Sequence, residues 1–270
     1  MSSPLAPDRS AETATRREGR VSLVGAGPGD PELLTLKAAR IISEADVLVH
    51  DRLVHPAVLD LAPSSAERIP VGKRPEGPSV SQAAIHEILI AHALRGQRVV
   101  RLKGGDPFLL GRGGEEVLAL AAAGIPWEVV PGLSSALAAP LAAQIPLTHR
   151  GVAATVVIAS GSASGPNGVD WAGLAHVDGT LVLLMGMHAL DHIAAQLISA
   201  GKDPQTPSAA VQWATWDEER VVRAPLAELA SACRRARVSS PATVVVGPVV
   251  NVLHSLAPSM GSALQVAMDG

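Results

Sequence analysis

Residues 101–116 read Arg101-Leu-Lys-Gly-Gly-Asp-Pro-Phe-Leu-Leu-Gly-Arg-Gly-Gly-Glu-Glu116. The segment follows an apolar pair, Val99-Val100, that is typical of a strand, and it precedes an Ala- and Leu-rich run that is typical of a helix. A connection between two such elements needs only a few residues, whereas this loop is long and rich in glycine. Glycine lets the backbone approach a ligand closely, and open α/β sheets bind ligands at the carboxyl ends of their strands. The segment therefore predicts an α/β fold with a ligand site at the end of this strand.

The rest of the chain repeats this alternation of strand and helix patterns. In the first half, the patterns predict strands at 21–24, 46–49, 68–71, 97–102 and 127–130, and helices at 30–42, 81–95 and 114–123. Such alternation is typical of α/β layers with a largely parallel sheet. After Pro131-Gly132 the pattern restarts, with strands predicted at 155–159, 180–185, 208–212, 220–222 and 243–246, and helices at 188–200 and 226–236.

The second half has longer polar loops than the first, which favours two α/β domains over one continuous sheet. We expect an N-terminal α/β domain at 20–136 and a C-terminal α/β domain at 137–256. Residues 1–19 are charged and lack an apolar stretch, so we expect a disordered tail rather than a secretory signal. Residues 257–270 are expected to form a C-terminal tail.

Composition excludes several classes of protein. Hydrophobic residues make up 47% and charged residues 17% of the 270-residue chain, as in a globular protein. The formal net charge of −3 gives no attraction to nucleic acid and no polybasic surface for a membrane. The single cysteine, Cys233, excludes an internal disulfide and a cysteine-rich metal site, and favours a reducing, cytoplasmic location.

Charged residues follow several of the predicted strands. Asp51-Arg52 comes after the strand at 46–49, Lys73-Arg74 after the strand at 68–71, and Asp106 after the strand at 97–102. Such positions place acids and cations beside one cleft, although charges solvated in loops remain the alternative interpretation. The further cations Arg101, Lys103, Arg112 and Arg150 favour a small polyanionic ligand, since arginine matches carboxylates in geometry.

Three other features have plainer interpretations. Gly25-Ala-Gly-Pro-Gly-Asp30 lacks the glycine spacing of a dinucleotide site and the Lys-Ser/Thr of a phosphate loop, so it could be only a tight turn. Ser134-Ser135 could cap the next helix, and Met185 could be core packing. His188 and His192 stand at i and i+4 without a third ligand nearby, so no metal site is expected.

The chain resembles the uroporphyrinogen-III C-methyltransferases of the tetrapyrrole methylase family from about residue 21 to residue 250. The shared motifs are Val-Gly-Ala-Gly-Pro-Gly-Asp-Pro-Glu-Leu-Leu-Thr, Asp-Arg-Leu-Val, Val-Gly-Lys-Arg, Leu-Lys-Gly-Gly-Asp-Pro-Phe, Gly-Arg-Gly-Gly-Glu-Glu, Pro-Gly-x-Ser-Ser-Ala, Ile-Pro-Leu-Thr-His-Arg and Met-Gly. The resemblance implies two α/β domains with S-adenosylmethionine in the cleft between them, and a homodimer. It also implies methylation of uroporphyrinogen III on rings A and B, through precorrin-1 to precorrin-2, for sirohaem or cobalamin synthesis.

The resemblance further implies roles for individual residues. Asp51 corresponds to the family's proton acceptor and Lys73 to its proton donor. The positions that correspond to binding of S-adenosylmethionine, and of its product S-adenosylhomocysteine, are Pro28, Gly104, Gly105, Asp106, Leu109, Ser134, Ser135, Met185, Ala214 and Ala242. The cations expected to bind the carboxylates of the substrate are Arg52, Arg74, Lys103, Arg112 and Arg150.

The sequence departs from the family pattern at three places near the expected cleft. His50 replaces a tyrosine, residues 151–153 replace a more polar stretch, and Ser162 replaces a histidine. Alternatives therefore stay open: a sibling methylase of a later corrin intermediate, or a non-catalytic carrier of a tetrapyrrole or cofactor. An RNA-methylating relative is disfavoured by the absence of a basic face, and a nucleotide-dependent oxidoreductase by the incomplete dinucleotide motif.

Overall fold

The computed structural model describes residues 18–72, 80–162 and 168–254. Within these ranges the chain forms two five-stranded sheets, each covered by helices. The predicted α/β fold, built on two sheets, is confirmed. The exact division at residues 136 and 137 stays a prediction, and nearly all of both predicted tails lies outside the described residues.

The first sheet is entirely parallel, with strand order β3-β2-β4-β1-β5. Its strands are β1 (Arg20–Gly25), β2 (Val47–His50), β3 (Glu67–Pro70), β4 (Arg98–Lys103) and β5 (Trp127–Val130). Its helices are α1 (Leu36–Ser43), α2 (Pro56–Leu59), α3 (Gln82–Leu94) and α4 (Gly113–Ala122). Because all five strands run in the same direction, the loops after them open at one edge of the sheet.

Both faces of the first sheet are buried. Val24, Leu48 and Leu102 belong to one apolar cluster, which is completed by residues of α1 and α2. Leu23 and Val99 belong to a second cluster, with residues of α3 and α4. Burial on both faces explains why these strands are nearly continuous apolar runs rather than alternating ones.

The second sheet is mixed, with strand order β6-β7-β10-β8-β9. Its strands are β6 (Val156–Ser160), β7 (Thr180–Leu184), β8 (Pro207–Gln212), β9 (Arg220–Pro225) and β10 (Ala242–Val246). Only β6 and β7 are parallel. The expectation of a largely parallel sheet thus holds for the first sheet alone. The physical reason is the short segment 213–219, which can join β8 and β9 as a hairpin but cannot make a parallel crossover.

The remaining helices are α5 (Ser135–Ala142), α6 (Trp171–Ala175), α7 (Leu190–Ser199) and α8 (Leu226–Arg235). Helix α5 connects the two sheets, and its Ala139 packs in the same apolar cluster as Val211 and Val245. Within the described ranges, no helix is both long and apolar enough to span a membrane.

One predicted helix is wrong in outline. The helix expected from Asp30 is a 3₁₀ turn, Pro31–Leu33, followed by the separate helix α1. Asp30 does cap the turn, as its carboxylate accepts a hydrogen bond from Glu32 N at 2.8 Å. Thr35 then caps α1 by accepting from Ala38 N at 3.1 Å. A second capping residue five positions after the first was the signal that two elements begin here.

Candidate active site

Among the described residues, Asp51 and the predicted cofactor residues lie at the ends of strands or on the loops beside them. In the first sheet they follow the carboxyl ends of β1, β2, β4 and β5. In the second sheet Ser162, Met185 and Ala214 follow β6, β7 and β8, and Ala242 begins the antiparallel strand β10 at the same edge. Thr243 Oγ1 donates to the carbonyl of Ser135 at 3.4 Å, which ties this edge to the start of α5.

Backbone meets backbone where the loops after β1, β4 and β5 converge. Gly105 N donates to Gly27 O at 2.8 Å, and Gly27 N donates to Gly105 O at 3.3 Å. A side chain on Gly25 or Gly132 would overlap the backbone of the neighbouring loop. Gly105 itself has a φ of 68°, a conformation that glycine adopts without strain. These glycines therefore form a floor free of side chains at the edge of the sheet.

Asp106 organises the loop that carries it. Its Oδ1 accepts from Phe108 N at 2.8 Å, and its Oδ2 accepts from Gly132 N at 3.2 Å. The carboxylate thus joins the loop after β4 to the loop after β5. Each carboxylate oxygen can accept a further hydrogen bond, so the bonds within the loop leave capacity for a ligand.

Left-handed backbone marks the same region. Among the described residues, seven residues other than glycine have positive φ angles. Gln144 and Arg237 follow the C-caps of α5 and α8, where this conformation is common. The other five lie at or beside residues predicted to bind the cofactor or, for Arg112, the substrate: Leu110, Arg112, Met185, Trp213 and Thr215.

Such strain is concentrated at functional sites in proteins, because surrounding structure must hold it in place. Met185 is itself one of the five and is 48% exposed, so it is not the core residue that its position in a strand pattern suggested. Trp213 and Thr215 flank Ala214, and Leu110 follows Leu109. No pattern in the sequence indicated these backbone angles, because none of the five is glycine or asparagine.

Ser134 caps helix α5, as one of the two interpretations predicted. Its Oγ accepts from Ala136 N at 3.2 Å, and the residue is 6% exposed. A Cβ built on Gly105 would lie 3.6 Å from Ser134 Cα, so the cap adjoins the glycine floor. The additional ligand role of Ser134 and Ser135 stays a prediction.

Asp51 stands at the end of β2, beside β4. Its N–H donates to Leu102 O at 3.1 Å, which fixes the backbone. Its Oδ1 accepts from Arg101 at 2.6 Å, and its side chain is 33% exposed. The guanidinium of Arg101 thus orients the carboxylate, while part of the Asp51 side chain remains open to solvent.

Arg101 belongs to a buried charged network. Its Nε and the Lys103 Nζ donate to the same oxygen of Glu116, Oε1, at 3.1 Å and 3.0 Å. Gln82 Nε2 donates to that oxygen at 3.1 Å. The side chains of Arg101, Lys103 and Glu116 are 3%, 4% and 0% exposed. Within the described ranges, Glu116 Oε2 has no hydrogen-bond partner.

This network corrects the expectation for Lys103, which the sequence placed at the substrate. Its ammonium is buried against Glu116 and is not available to a ligand. Burial, followed by the charge of Arg101, lowers the pKa of Lys103. The signal was present in the sequence, since residues 99, 101 and 103 share one face of a strand, and that face packs against α3 and α4.

The other predicted cations divide into two groups. Arg52, Arg112 and Arg150 are exposed, and Arg112 pairs with Glu115 at 2.6 Å. Lys73 and Arg74 lie outside the described residues. The chain that leads to them passes close to Arg52, because a side chain on Gly72 would overlap the Arg52 backbone.

Two of the three departures from the family pattern adjoin predicted site residues, and the position of the third relative to the site stays a prediction. His50 Nδ1 is 3.2 Å from Asp51 O, and Ser162 Oγ donates to Met185 Sδ at 3.9 Å. Residues 149–153 form a tight turn closed by His149 N and Ala153 O at 3.0 Å. His188 and His192 are exposed, and no group of three or more potential metal ligands occurs in the parts of the chain that the structure describes.

The comparison with sequences agrees with this geometry. Residues 20–230 match the family of tetrapyrrole (corrin/porphyrin) methylases. The chain is 47% identical over 241 residues to an S-adenosyl-L-methionine-dependent uroporphyrinogen III methyltransferase of Methanosarcina barkeri, with 88% of this chain and 94% of that protein covered. It is 45% identical over 243 residues to a siroheme synthase of Acinetobacter baylyi, covering 90% of this chain but only 53% of that longer protein.

Solved structures give the same result. Uroporphyrin-III C-methyltransferase of Thermus thermophilus, complexed with S-adenosylhomocysteine, is 48% identical and superimposes with a TM-score of 0.75 over 87% of this chain and all of that one. A cobalt precorrin-4 methyltransferase of cobalamin biosynthesis is 28% identical, with a TM-score of 0.76 over 86% of this chain and 95% of that one. The chain therefore belongs to the tetrapyrrole methylase family.

Proposed function

We propose that this protein is an S-adenosylmethionine-dependent C-methyltransferase that acts on uroporphyrinogen III. The names and similarity of the relatives from Methanosarcina barkeri and Thermus thermophilus support this activity. In its finer form, the proposal is methylation of rings A and B, through precorrin-1, to give precorrin-2 for sirohaem or cobalamin. The observation that carries it is the joining of the two sheet edges beside Asp106. The loop after β1 is hydrogen-bonded to Gly105 in the Asp106 loop and also to Thr215 and Trp216, which follow Ala214 at the opposite edge.

The residues at this edge fit S-adenosylmethionine. The glycine floor offers bare backbone, and the adjoining Asp106 offers a carboxylate for a cationic group. Met185, Ala214 and Ala242 provide apolar or small surfaces on the other side. Pro28, Gly104, Gly105, Leu109, Ser134 and Ser135 complete the set of residues that would hold it.

When bound, S-adenosylmethionine supplies an electrophilic methyl group on its sulfonium. Pyrrole carbon is electron-rich, so alignment by the protein should provide most of the rate. Asp51 then accepts a proton from the substrate at its carboxylate, which Arg101 holds in a single orientation at 2.6 Å. Lys73 is proposed as the proton donor, on the family pattern alone.

Exposed arginines would hold the substrate, which is a polycarboxylate. Arg52, Arg112 and Arg150 are accessible for this purpose, and Arg74 is added from the family pattern. Lys103 is left out of the proposal because Glu116 holds it in the interior.

The test is the mass of the product made from uroporphyrinogen III with labelled S-adenosylmethionine. We expect two added methyl groups. In parallel, S-adenosylhomocysteine should bind in calorimetry and raise the melting temperature, whereas NAD should do neither. A protein that binds S-adenosylhomocysteine but adds no methyl group would support a carrier or a sibling methylase instead.

We also propose that the protein works as a homodimer in the cytoplasm. Leu36, Leu118 and Leu141 are 92%, 71% and 74% exposed, so the monomer leaves large apolar side chains in water. Sedimentation analysis should give twice the 27.6 kDa mass of one chain. A single species at the mass of one chain across micromolar concentrations would contradict the dimer.

A further inference from the structure

A self-supporting turn connects β8 to β9. Trp216 N donates to Trp213 O at 3.0 Å, and Glu219 N donates to Trp216 O at 3.0 Å. Thr215 N donates to the Glu219 carboxylate at 2.8 Å. Trp213 and Thr215 both have left-handed backbone, with φ angles of 49° and 67°.

The turn reaches the loop after β1 in the first sheet. Trp216 Nε1 donates to Pro28 O at 3.1 Å, and Asp30 N donates to Thr215 Oγ1 at 3.1 Å. Gly29 lies directly against the indole, since a side chain at this position would overlap the Trp216 ring. Two hydrogen bonds and a close ring contact thus join the two sheet edges at this point.

The same indole touches the segment that follows Asp51. The rings of His55 and Trp216 meet edge to face, with centroids 4.4 Å apart. His55 in turn caps α2 by accepting from Ala57 N at 3.2 Å. The Trp213 ring also packs against Trp216, with centroids 4.8 Å apart. Trp216 therefore contacts the Pro28 loop and the segment that bears Asp51, and it belongs to the turn that bears Ala214.

We infer that Thr215 and Trp216 form a clasp that aligns the two halves of the cofactor site. They are positioning residues, because they act through Pro28, Ala214 and the segment after Asp51. The inference rests on the proposed function, since it takes those residues to be part of the cofactor site. A site built from two sheet edges binds weakly if binding itself must align them, and contacts that align them beforehand improve affinity.

The test compares three variants as full chains. Trp216→Phe removes the indole N–H and retains an aromatic ring, and Thr215→Val removes the Oγ1 acceptor in a similar volume. Trp171→Phe in α6 is the matched control, because Trp171 packs against the core of the second sheet. Circular dichroism and the melting temperature without ligand check that each variant folds.

We expect each clasp variant to weaken S-adenosylhomocysteine binding about fivefold, the loss typical of one neutral hydrogen bond. KM for S-adenosylmethionine should rise accordingly, with a smaller change in kcat. Tryptophan emission should respond to S-adenosylhomocysteine in the wild type and in Trp171→Phe, and this response should be reduced in Trp216→Phe. A purely structural role would lower the melting temperature without changing Kd.

Two failures are distinguishable. If folded Trp216→Phe and Thr215→Val bind S-adenosylhomocysteine as tightly as the wild type, the clasp is wrong and the proposed methyltransferase stands. If the wild type itself does not bind S-adenosylhomocysteine, the proposed function and the clasp fall together.

Discussion

At the scale of single residues, two carboxylates at the ends of neighbouring strands have different partners. Asp51 is held by the guanidinium of Arg101, whereas Asp106 is held by the backbone N–H groups of Phe108 and Gly132. The first arrangement orients the side chain that we propose as a base, and the second joins two loops. The two acids should therefore respond differently to removal.

Asp51→Ala should lower turnover by roughly 10²–10⁴-fold with little change in cofactor affinity, because it removes a proton acceptor. Asp106→Ala should weaken S-adenosylmethionine binding by the loss of a charge-assisted contact, about 1.5–3 kcal/mol. Steady-state kinetics and calorimetry on the folded variants measure the two effects. Full turnover in Asp51→Ala would remove the acid–base role, although methyl transfer through alignment alone could persist.

Because Lys103 is buried, its titration should make the stability of the folded protein depend on pH. Its pKa in the folded protein is lowered from 10.5, chiefly by burial, so the unfolded chain binds its proton more readily. Between the folded value and 10.5, this residue's contribution to stability therefore rises as pH rises, and it is lost as pH falls. Lys103→Met abolishes that contribution.

Urea unfolding at about pH 7.5 and about pH 9.5 should show the wild type gaining stability relative to Lys103→Met at the higher pH. Lys37→Met is the matched control, since Lys37 is half exposed in its ion pair with Glu128. The prediction is contradicted if the free energy of unfolding of the wild type, relative to that of Lys103→Met, stays constant or falls as pH rises.

At the scale of elements, helix starts are set by capping side chains. Thr35, Ser81 and Ser134 each accept a backbone N–H at the first turn of α1, α3 and α5. Ser134 differs from the others because it also adjoins the glycine floor. Its removal should therefore affect both stability and binding.

Ser134→Ala should lower the free energy of unfolding by about 1 kcal/mol, the usual contribution of a cap. Because Ser134 is in the proposed cofactor set, S-adenosylhomocysteine should also bind about fivefold more weakly. Thr35→Ala is the control, with a similar loss of stability and unchanged binding. If the two variants bind S-adenosylhomocysteine with equal Kd values, Ser134 only caps α5 and does not contribute to binding.

Several helices and strands could be predicted from the sequence, because their local sequence preferences agree with the tertiary structure. The strand at 127–130 matches β5, and the helix at 226–236 matches α8 within one residue. The start of α1 was misplaced because Asp30 and Thr35 are both good caps. Strand direction in the second sheet depends on how connections cross in space, which apolar patterns do not encode.

The site was predictable where it follows strand ends and not where it depends on contacts between elements. Asp51 and Gly104–Asp106 lie at the edge that the alternation of elements indicated. The burial of Lys103 depends on Glu116 lying over it from α4, a long-range contact. The clasp depends on contacts between the loop after β1 and the turn after β8, for which the sequence contains no local signal.

At the scale of the whole molecule, the exposed arginines are proposed to bind the substrate as a set, despite the net charge of −3. Ionic screening weakens attraction between exposed charges and a polycarboxylate, but it affects a partly buried cofactor site less. KM for uroporphyrinogen III should therefore rise between low and high salt, with a smaller change for S-adenosylmethionine. A KM for the porphyrinogen that is independent of salt would show that the arginines are misassigned.

The parallel order of the first sheet has a consequence for synthesis of the chain. Strand β1 leaves the ribosome first, but its two neighbours, β4 and β5, are complete only at residues 103 and 130. The second sheet contains the hairpin of β8 and β9, followed directly by α8, and such local contacts form quickly. We therefore expect the N-terminal strand to wait unpaired during translation, with its two open edges exposed to other chains until β4 and β5 emerge.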